Sequence, residues 1–198
     1  LIDEILPIKL NEIQATLAKF IAYYYTCELG VAINLFEPQS LIDDEIYSGA
    51  TDFKAPNLSQ KQLEALNFIN ARKSSLIFGD TGSGKSEIYI AKIREILNAG
   101  GQALFLMPEI SLTPQMQKRL ESFFGEAVAV WHSKITPKKK EQILKDIKSG
   151  KARLIAGARS ALFLPLEKLK LIIIDEEHDD SYKNTGSKPH YNARDLAL

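Results

Sequence analysis

Apolar positions along the chain change period several times, and the changes mark out its elements. Leu10, Ile13, Leu17, Phe20, Ile21 and Tyr24 recur at steps of three, four and seven, which predicts an amphipathic helix ending near Cys27 to Gly30. From Pro38 to Pro56 that period dissolves into "PQSLIDDEIYSGATDFKAP", an acidic stretch broken by glycine and proline that reads as a linker. From Ser59 onward, helical and strand patterns alternate. A helix is expected over 60–70, a short buried strand at "SSLIF" (74–78), and a second helix that opens at a glycine loop and runs to about Asn98. "QALFLM" (102–107) is the next strand. Thr113 and Pro114 supply an N-cap and a first-turn proline for a helix with Met116, Leu120, Phe123 and Phe124 at helical spacing. "AVAVWH" (127–132) is a third strand, Thr136 and Pro137 start another helix, and Gly150 stops it. "RLIAG" (153–157) and "KLIIID" (170–175) supply two more strands. Five apolar runs alternating with helices predict an α/β fold, a parallel sheet covered by helices on both faces. Ligands of such sheets sit at the carboxyl ends of the strands.

The candidate chemistry falls at those ends. Gly79, Asp80, Thr81, Gly82, Ser83, Gly84, Lys85 and Ser86 fit G-x-x-x-x-G-K-[ST] at every fixed position, between an expected strand and an expected helix. The glycines let successive backbone N–H groups turn inward around a polyphosphate, and the helix N-terminus adds partial positive charge. Lys85 is then the residue that reaches the terminal phosphates, and the Ser86 hydroxyl a ligand of Mg²⁺. A P-loop needs a second acidic site, which "LIIIDEEH" (171–178) provides. Asp175 emerges at the end of a buried strand to hold Mg²⁺, and Glu176 is placed to orient and deprotonate an attacking water. Hydrolysis of a nucleoside triphosphate with Mg²⁺ is the reaction this pair fits.

Composition narrows the setting. The chain has 198 residues, 45% of them hydrophobic, enough to bury a full core. No run approaches the ~18 uncharged apolar residues of a membrane helix, and no basic segment followed by an apolar one opens the chain, so a cytoplasmic location is expected. The single Cys27 forms neither an internal disulfide nor a thiolate cluster. Net charge is zero but uneven: residues 1–50 hold eight acids against two lysines, and residues 131–153 hold eight bases against two acids. That basic run is either a solvated helix face or a phosphate-tracking surface.

Asp175, Glu176, Glu177 and His178, taken with the P-loop, resemble the motor lobes of superfamily two helicases, in which His178 would sense whether nucleotide or nucleic acid is bound. "FGDTGSGKSEIY", "LMPEISLTPQ", "WHS", "GARSALFLPL" and "IIIDEEHDDSYKNTGSKPHYNARDLAL" together resemble the primosomal replication-restart helicase family, primosomal protein N′. The resemblance covers residues 58–198 through five motifs in family order. It also reaches "LAKFIAYYYTCELGVAINLFEP" (17–38), similar to the end of that family's domain for the 3′ end of a nascent strand. It implies three parts: residues 1–37 as the end of that domain, 38–57 as a linker, and 58–198 as a first RecA-like ATPase lobe. The implied activity is ATP-dependent DNA unwinding at abandoned forks with 3′-to-5′ polarity, and primosome assembly. Forked and single-stranded DNA, restart proteins and single-strand-binding proteins are the implied partners, with no membrane.

Residue by residue, the resemblance makes Gln62 an adenine-reading amide, although Ser59-x-x-Gln62 is also a capping box. Thr113 and Gln115 match a motif that contacts the DNA backbone, and Thr113 also reads as a helix cap. His132 with Ser133, and Arg159 with Ser160, resemble two more backbone-contacting motifs. Asp179 to Arg194 resembles an aromatic-rich loop that couples DNA contact to hydrolysis. There Tyr182, His190 and Tyr191 either stack on bases or pack under the lobe, and Lys183, Lys188 and Arg194 meet phosphates. The family's second motor lobe, its arginine finger and its cysteine-rich zinc insertion have no counterpart in these residues, and about 20 linker residues stand where a winged-helix domain is expected. Starting at Leu1 and ending in "DLAL", the sequence reads as a fragment. The lobe alone is therefore expected to bind ATP and hydrolyse it poorly. Other classes left open are a nucleotide-switched DNA-binding or scaffold module and a P-loop phosphotransferase.

Overall fold

The computed structural model describes residues 8–40, 47, 52–80 and 82–198. The elements run β1 (Ile8–Lys9), α1 (Glu12–Tyr24), α2 (Leu29–Ile33), β2 (Gln39–Ser40), α3 (Gln60–Asn70), α4 (Lys85–Asn98), β3 (Gln102–Leu106), α5 (Pro114–Phe124), β4 (Val128–Trp131), α6 (Pro137–Ser149), β5 (Leu154–Gly157), β6 (Leu169–Ile174) and α7 (Ala193–Leu196). Helix starts follow their caps. Asn11 with Gln14, and Ser59 with Gln62, form reciprocal capping boxes, while Thr113 and Thr136 each accept from the third residue on and precede a first-turn proline. Gly150 ends α6 in the left-handed region, at φ 82°.

β3 to β6 form one sheet in the order β4-β5-β3-β6, and every pairing is parallel. Alternation along β3 sends Leu104 and Leu106 to one face and Ala103 and Phe105 to the other. On the first face they meet Ile143 and Ile147 of α6, Ala18 and Ile21 of α1, and Trp131, Phe163 and Tyr191. On the second they meet Tyr89, Ile90, Ile93 and Leu97 of α4 and Leu120 and Phe124 of α5. Each fully buried Ile or Leu contributes roughly 1.5–3 kcal/mol, so the two apolar layers fix α4 and α5 over one face and α6 over the other.

The strand expected at 74–78 does not form. Leu76 is 73% and Phe78 95% exposed, and only Ile77 packs inward, toward α3 and α4. A strand needs a hydrogen-bonded neighbour as well as apolar residues; among the described residues β6 pairs with β3 alone, and 74–78 pairs with nothing. β1 and β2, which pair antiparallel, carry no strong sequence signal. α1 forms where expected, yet its apolar stripe is only partly covered: Ile21 is buried, whereas Ile13, Phe20 and Tyr24 are exposed. Much of the expected linker, 41–46 and 48–51, lies outside the described residues, but its end is anchored, with Phe53 buried in the second layer and its carbonyl accepting from Arg94 Nε at 2.5 Å. No helix among the described residues is long and apolar enough to cross a membrane.

The first helix is locked to the lobe by a polar clip inside an apolar contact. Gln14, 3% exposed, donates from Nε2 to the carbonyls of Glu37 (2.8 Å) and Phe163 (2.9 Å), and its Oε1 accepts from Asn11 N–H at 3.1 Å. Truncation leaves buried groups unpaired, at ~1–3 kcal/mol for such a group. Gln14→Ala should lower the unfolding free energy by about 2 kcal/mol in a urea titration; an unchanged midpoint would contradict the clip.

Candidate nucleotide site and nucleic-acid face

The glycine loop meets the sheet at its carboxyl end. Gly82 (φ 82°) and Gly84 (φ 87°) sit in the left-handed region, and Gly84 caps α4. The backbone angle favours glycine at Gly84, and a Cβ there would lie 2.3 Å from Gln62 Nε2 and displace that amide from the loop. Lys85 Nζ donates to the carbonyls of Gly79 and, at 3.2 Å, Asp80, curling over the loop it is expected to serve. Thr81 lies outside the described residues. Gln62 Nε2 donates to Gly84 O at 3.0 Å while Oε1 accepts from Ser59 N–H at 2.8 Å, so the capping box forms and also clasps the loop. One N–H and one lone pair of that amide are left over for a base edge.

Asp175 comes to the same place from the sheet. Its N–H donates to Leu106 O at 2.9 Å, extending the β6–β3 ladder by one step before the chain turns. A cavity of about 300 Å³ is lined by Asp80, Gly82, Gly84, Lys85, Ser86, Glu87, Arg119, Asp175 and Glu176, so the P-loop amine and the acidic box face one space. Four carboxylates and two cations line it. Such a wall repels a bare polyphosphate and suits one that enters with a divalent cation. Among the described residues no three His, Cys, Asp or Glu side chains are grouped to hold a metal by themselves. The fitting donor set is the Ser86 hydroxyl, the Asp175 carboxylate and phosphate oxygens.

Electrostatics around the acidic box are those of a half-buried charge cluster. Burial, and then the neighbouring Glu176, raise the Asp175 pKa above the ordinary aspartate value, against the opposing pull of a Glu176 backbone hydrogen bond and Lys85. Tyr89, on α4, is pushed up to about 12 by burial and the same two carboxylates. Glu176 has φ 47°, a left-handed backbone without glycine, and its carboxylate lies 3.6 Å from His178 Nε2. Beneath it, Tyr182 Oη donates to Asp175 O at 2.5 Å, tying the following loop to the box.

Along the strand ends the other expected residues fall as follows. Thr113 Oγ1 accepts from Met116 N–H at 3.2 Å, and Gln115 is exposed in the first turn of α5. Ser133 Oγ donates to Glu109 Oε1 at 2.6 Å, holding that carboxyl below its usual range, and half-buried His132 accepts from Lys134 N–H through Nδ1 at 3.2 Å. Arg159 donates to the carbonyls of Ser181 and Lys183 and to Asn184 Oδ1, with Ser160 half-buried beside it. That guanidinium braces the 181–184 loop. Tyr182 and Tyr191 are 2% and 4% exposed, the packed arrangement, so their rings offer no face to a base; His190 is exposed. Arg194 pairs with Glu177 and Asp195. In the basic stretch Lys140 pairs with Glu37 and lies 5.2 Å over the Trp131 ring, and Lys145 pairs with Glu141. Arg119 and Glu87 are cavity residues that carry no motif signal.

A raised folded-state pKa has a defined sign. Between the unfolded and folded values of Asp175 the folded chain binds the extra proton, so stability falls as pH rises through that window, and the penalty persists above it. Asp175→Asn should therefore raise the melting temperature of the nucleotide-free protein at neutral pH. The gain should shrink as pH drops below the ordinary aspartate range; a lower melting temperature, or a gain that ignores pH, would contradict this.

Comparison with known proteins agrees with the geometry. The family model "DEAD/DEAH box helicase" matches residues 59–196. The chain is similar to the replication restart protein PriA of Helicobacter pylori strain J99, 47% identical over 192 residues that span 97% of this chain and 31% of that protein. It is 40% identical over 199 residues to the PriA of Rickettsia conorii, again 97% of this chain and 31% of the relative. To the Bacillus subtilis protein of that name it is 48% identical over 126 residues, 64% of this chain and 16% of the other. The chain thus spans less than a third of the length of these relatives. With the match running from the cap of α3 through the glycine loop and the acidic box into α7, the chain belongs to the DEAD/DEAH box helicase family.

Proposed function

We propose that the chain is the first motor lobe of an ATP-dependent DNA helicase of replication restart, unwinding stalled forks 3′-to-5′ in the cytoplasm and taking part in primosome assembly. In this reading residues 58–198 are the ATPase lobe, 1–37 the end of a domain that holds a nascent 3′ end, and 38–57 the link. The observation that carries it is the single cavity shared by Lys85 and Asp175, in a chain 47% identical over 192 residues to a replication restart protein.

Magnesium-bound ATP supplies the phosphoanhydride bond that is cleaved. Lys85 leaves the carbonyls of Gly79 and Asp80 and donates to the terminal phosphates, while the loop amides of Gly79 to Ser86 cradle the chain of phosphates. Ser86 and Asp175 hold the metal, and Glu176 accepts the proton of the attacking water. His178 engages Glu176 until a nucleic acid draws it away. Gln62 reads adenine with the N–H and lone pair its capping box leaves over. Thr113, Gln115, Ser133 and Ser160 follow successive strand ends and form a sequence-blind track for DNA phosphates. Arg159, Tyr182, Tyr191 and Arg194 act on that track by holding the 179–194 loop rather than by touching bases.

The test is ATP hydrolysis by the full-length protein with and without forked DNA. Lys85→Ala should weaken nucleotide binding by roughly tenfold or more, the value of a lost charge-assisted contact. Glu176→Gln should keep binding and lower turnover by about 10²- to 10⁴-fold. Equal hydrolysis in all three proteins removes both assignments. An arginine finger supplies roughly 10³ to 10⁵ in rate, so residues 1–198 alone should bind nucleotide and show no DNA-stimulated turnover; stimulation in that isolated chain would refute the division of labour.

A further inference from the structure

α5 delivers a second cation to the cavity. Arg119 lies six residues beyond the Thr113 cap, ~9 Å along the helix, and its guanidinium pairs with Glu87 in the first turn of α4. Both side chains line the cavity together with Lys85, Ser86, Asp175 and Glu176. The pair is 41% and 31% exposed, and an ion pair so open to water contributes only ~0–1 kcal/mol. Stability alone is a weak reason for it. Arginine's planar fork suits phosphate oxygens better than lysine's point charge does, and Glu87 already sits where the α4 dipole favours a negative group without help.

We propose that Arg119 is a phosphate ligand held in reserve by Glu87. Nucleotide entering the cavity exchanges one anionic partner of the guanidinium for another, and α4 and α5 shift from being bridged by the carboxylate to being bridged by phosphate. Because Arg119 lies on the 11-residue helix whose cap and first turn carry Thr113 and Gln115, the exchange links the nucleotide cavity to the face proposed for DNA. This inference rests on the cavity being the nucleotide site.

Binding of a fluorescently labelled ATP with Mg²⁺ to the full-length protein decides it. Arg119→Gln should weaken affinity by about tenfold and Arg119→Lys by a few-fold, since the charge survives and the fork does not. Glu87→Gln should strengthen affinity, by roughly threefold, because it loosens the competitor of phosphate. A pair that merely clasps two helices predicts weakening in both Arg119→Gln and Glu87→Gln. Weakening by Glu87→Gln, or unchanged affinity in Arg119→Gln and Arg119→Lys, overturns the proposal. Lys85→Ala separates the two levels: if it leaves binding intact the cavity reading falls, and if it weakens binding while the Arg119 variants do not, only the reserve-ligand inference falls.

Discussion

The candidate site depends on the register between β3 and β6. Leu106 lies opposite Ile174, and the Asp175 N–H bonds the Leu106 carbonyl at 2.9 Å, so the first residue past the β6 strand is held in the plane of the sheet at its carboxyl end. On the same edge, Tyr89, Ile90, Ile93 and Leu97 press α4 into the apolar layer and thereby fix the N-terminal turn that carries Lys85 and Ser86. A slip of one residue would send every β6 side chain to the opposite face. The carboxylate would then leave the cavity while the strand itself still formed.

Two features shape the cavity, one on the loop side and one on the sheet side. Gln62 bonds both the start of its own helix and the carbonyl of Gly84, so a residue expected either to cap or to read adenine does the first and keeps one N–H and one lone pair unused. Glu176 adopts φ 47° immediately after a regular strand, a conformation costing on the order of 1–3 kcal/mol for a residue other than glycine. The neighbouring bond from Tyr182 to the Asp175 carbonyl spans that turn.

What the sequence revealed was what local chemistry decides. The caps at Ser59, Thr113 and Thr136, the glycine loop and the acidic strand end are written in a few adjacent residues, and each is found where those residues place it. Features that depend on partners far along the chain were not legible. Whether Ser74–Phe78 becomes a strand depends on an edge it does not reach; whether Tyr182 and Tyr191 stack or pack depends on Phe163 and the turn after Asp175. Arg159 shows the same limit, since a guanidinium next to a strand end reads as a phosphate contact until the 181–184 carbonyls are seen around it. Arg119 had no signal at all, because only the layering of α5 beside α4 brings it to Glu87.

The one-sided pairing of β6 has a practical side. Among the described residues its outer row of N–H and C=O groups has no strand beside it, and such an open edge is the kind of surface on which chains add to one another. A charged side chain introduced along that margin would oppose the addition of a further strand without touching the β3–β6 register.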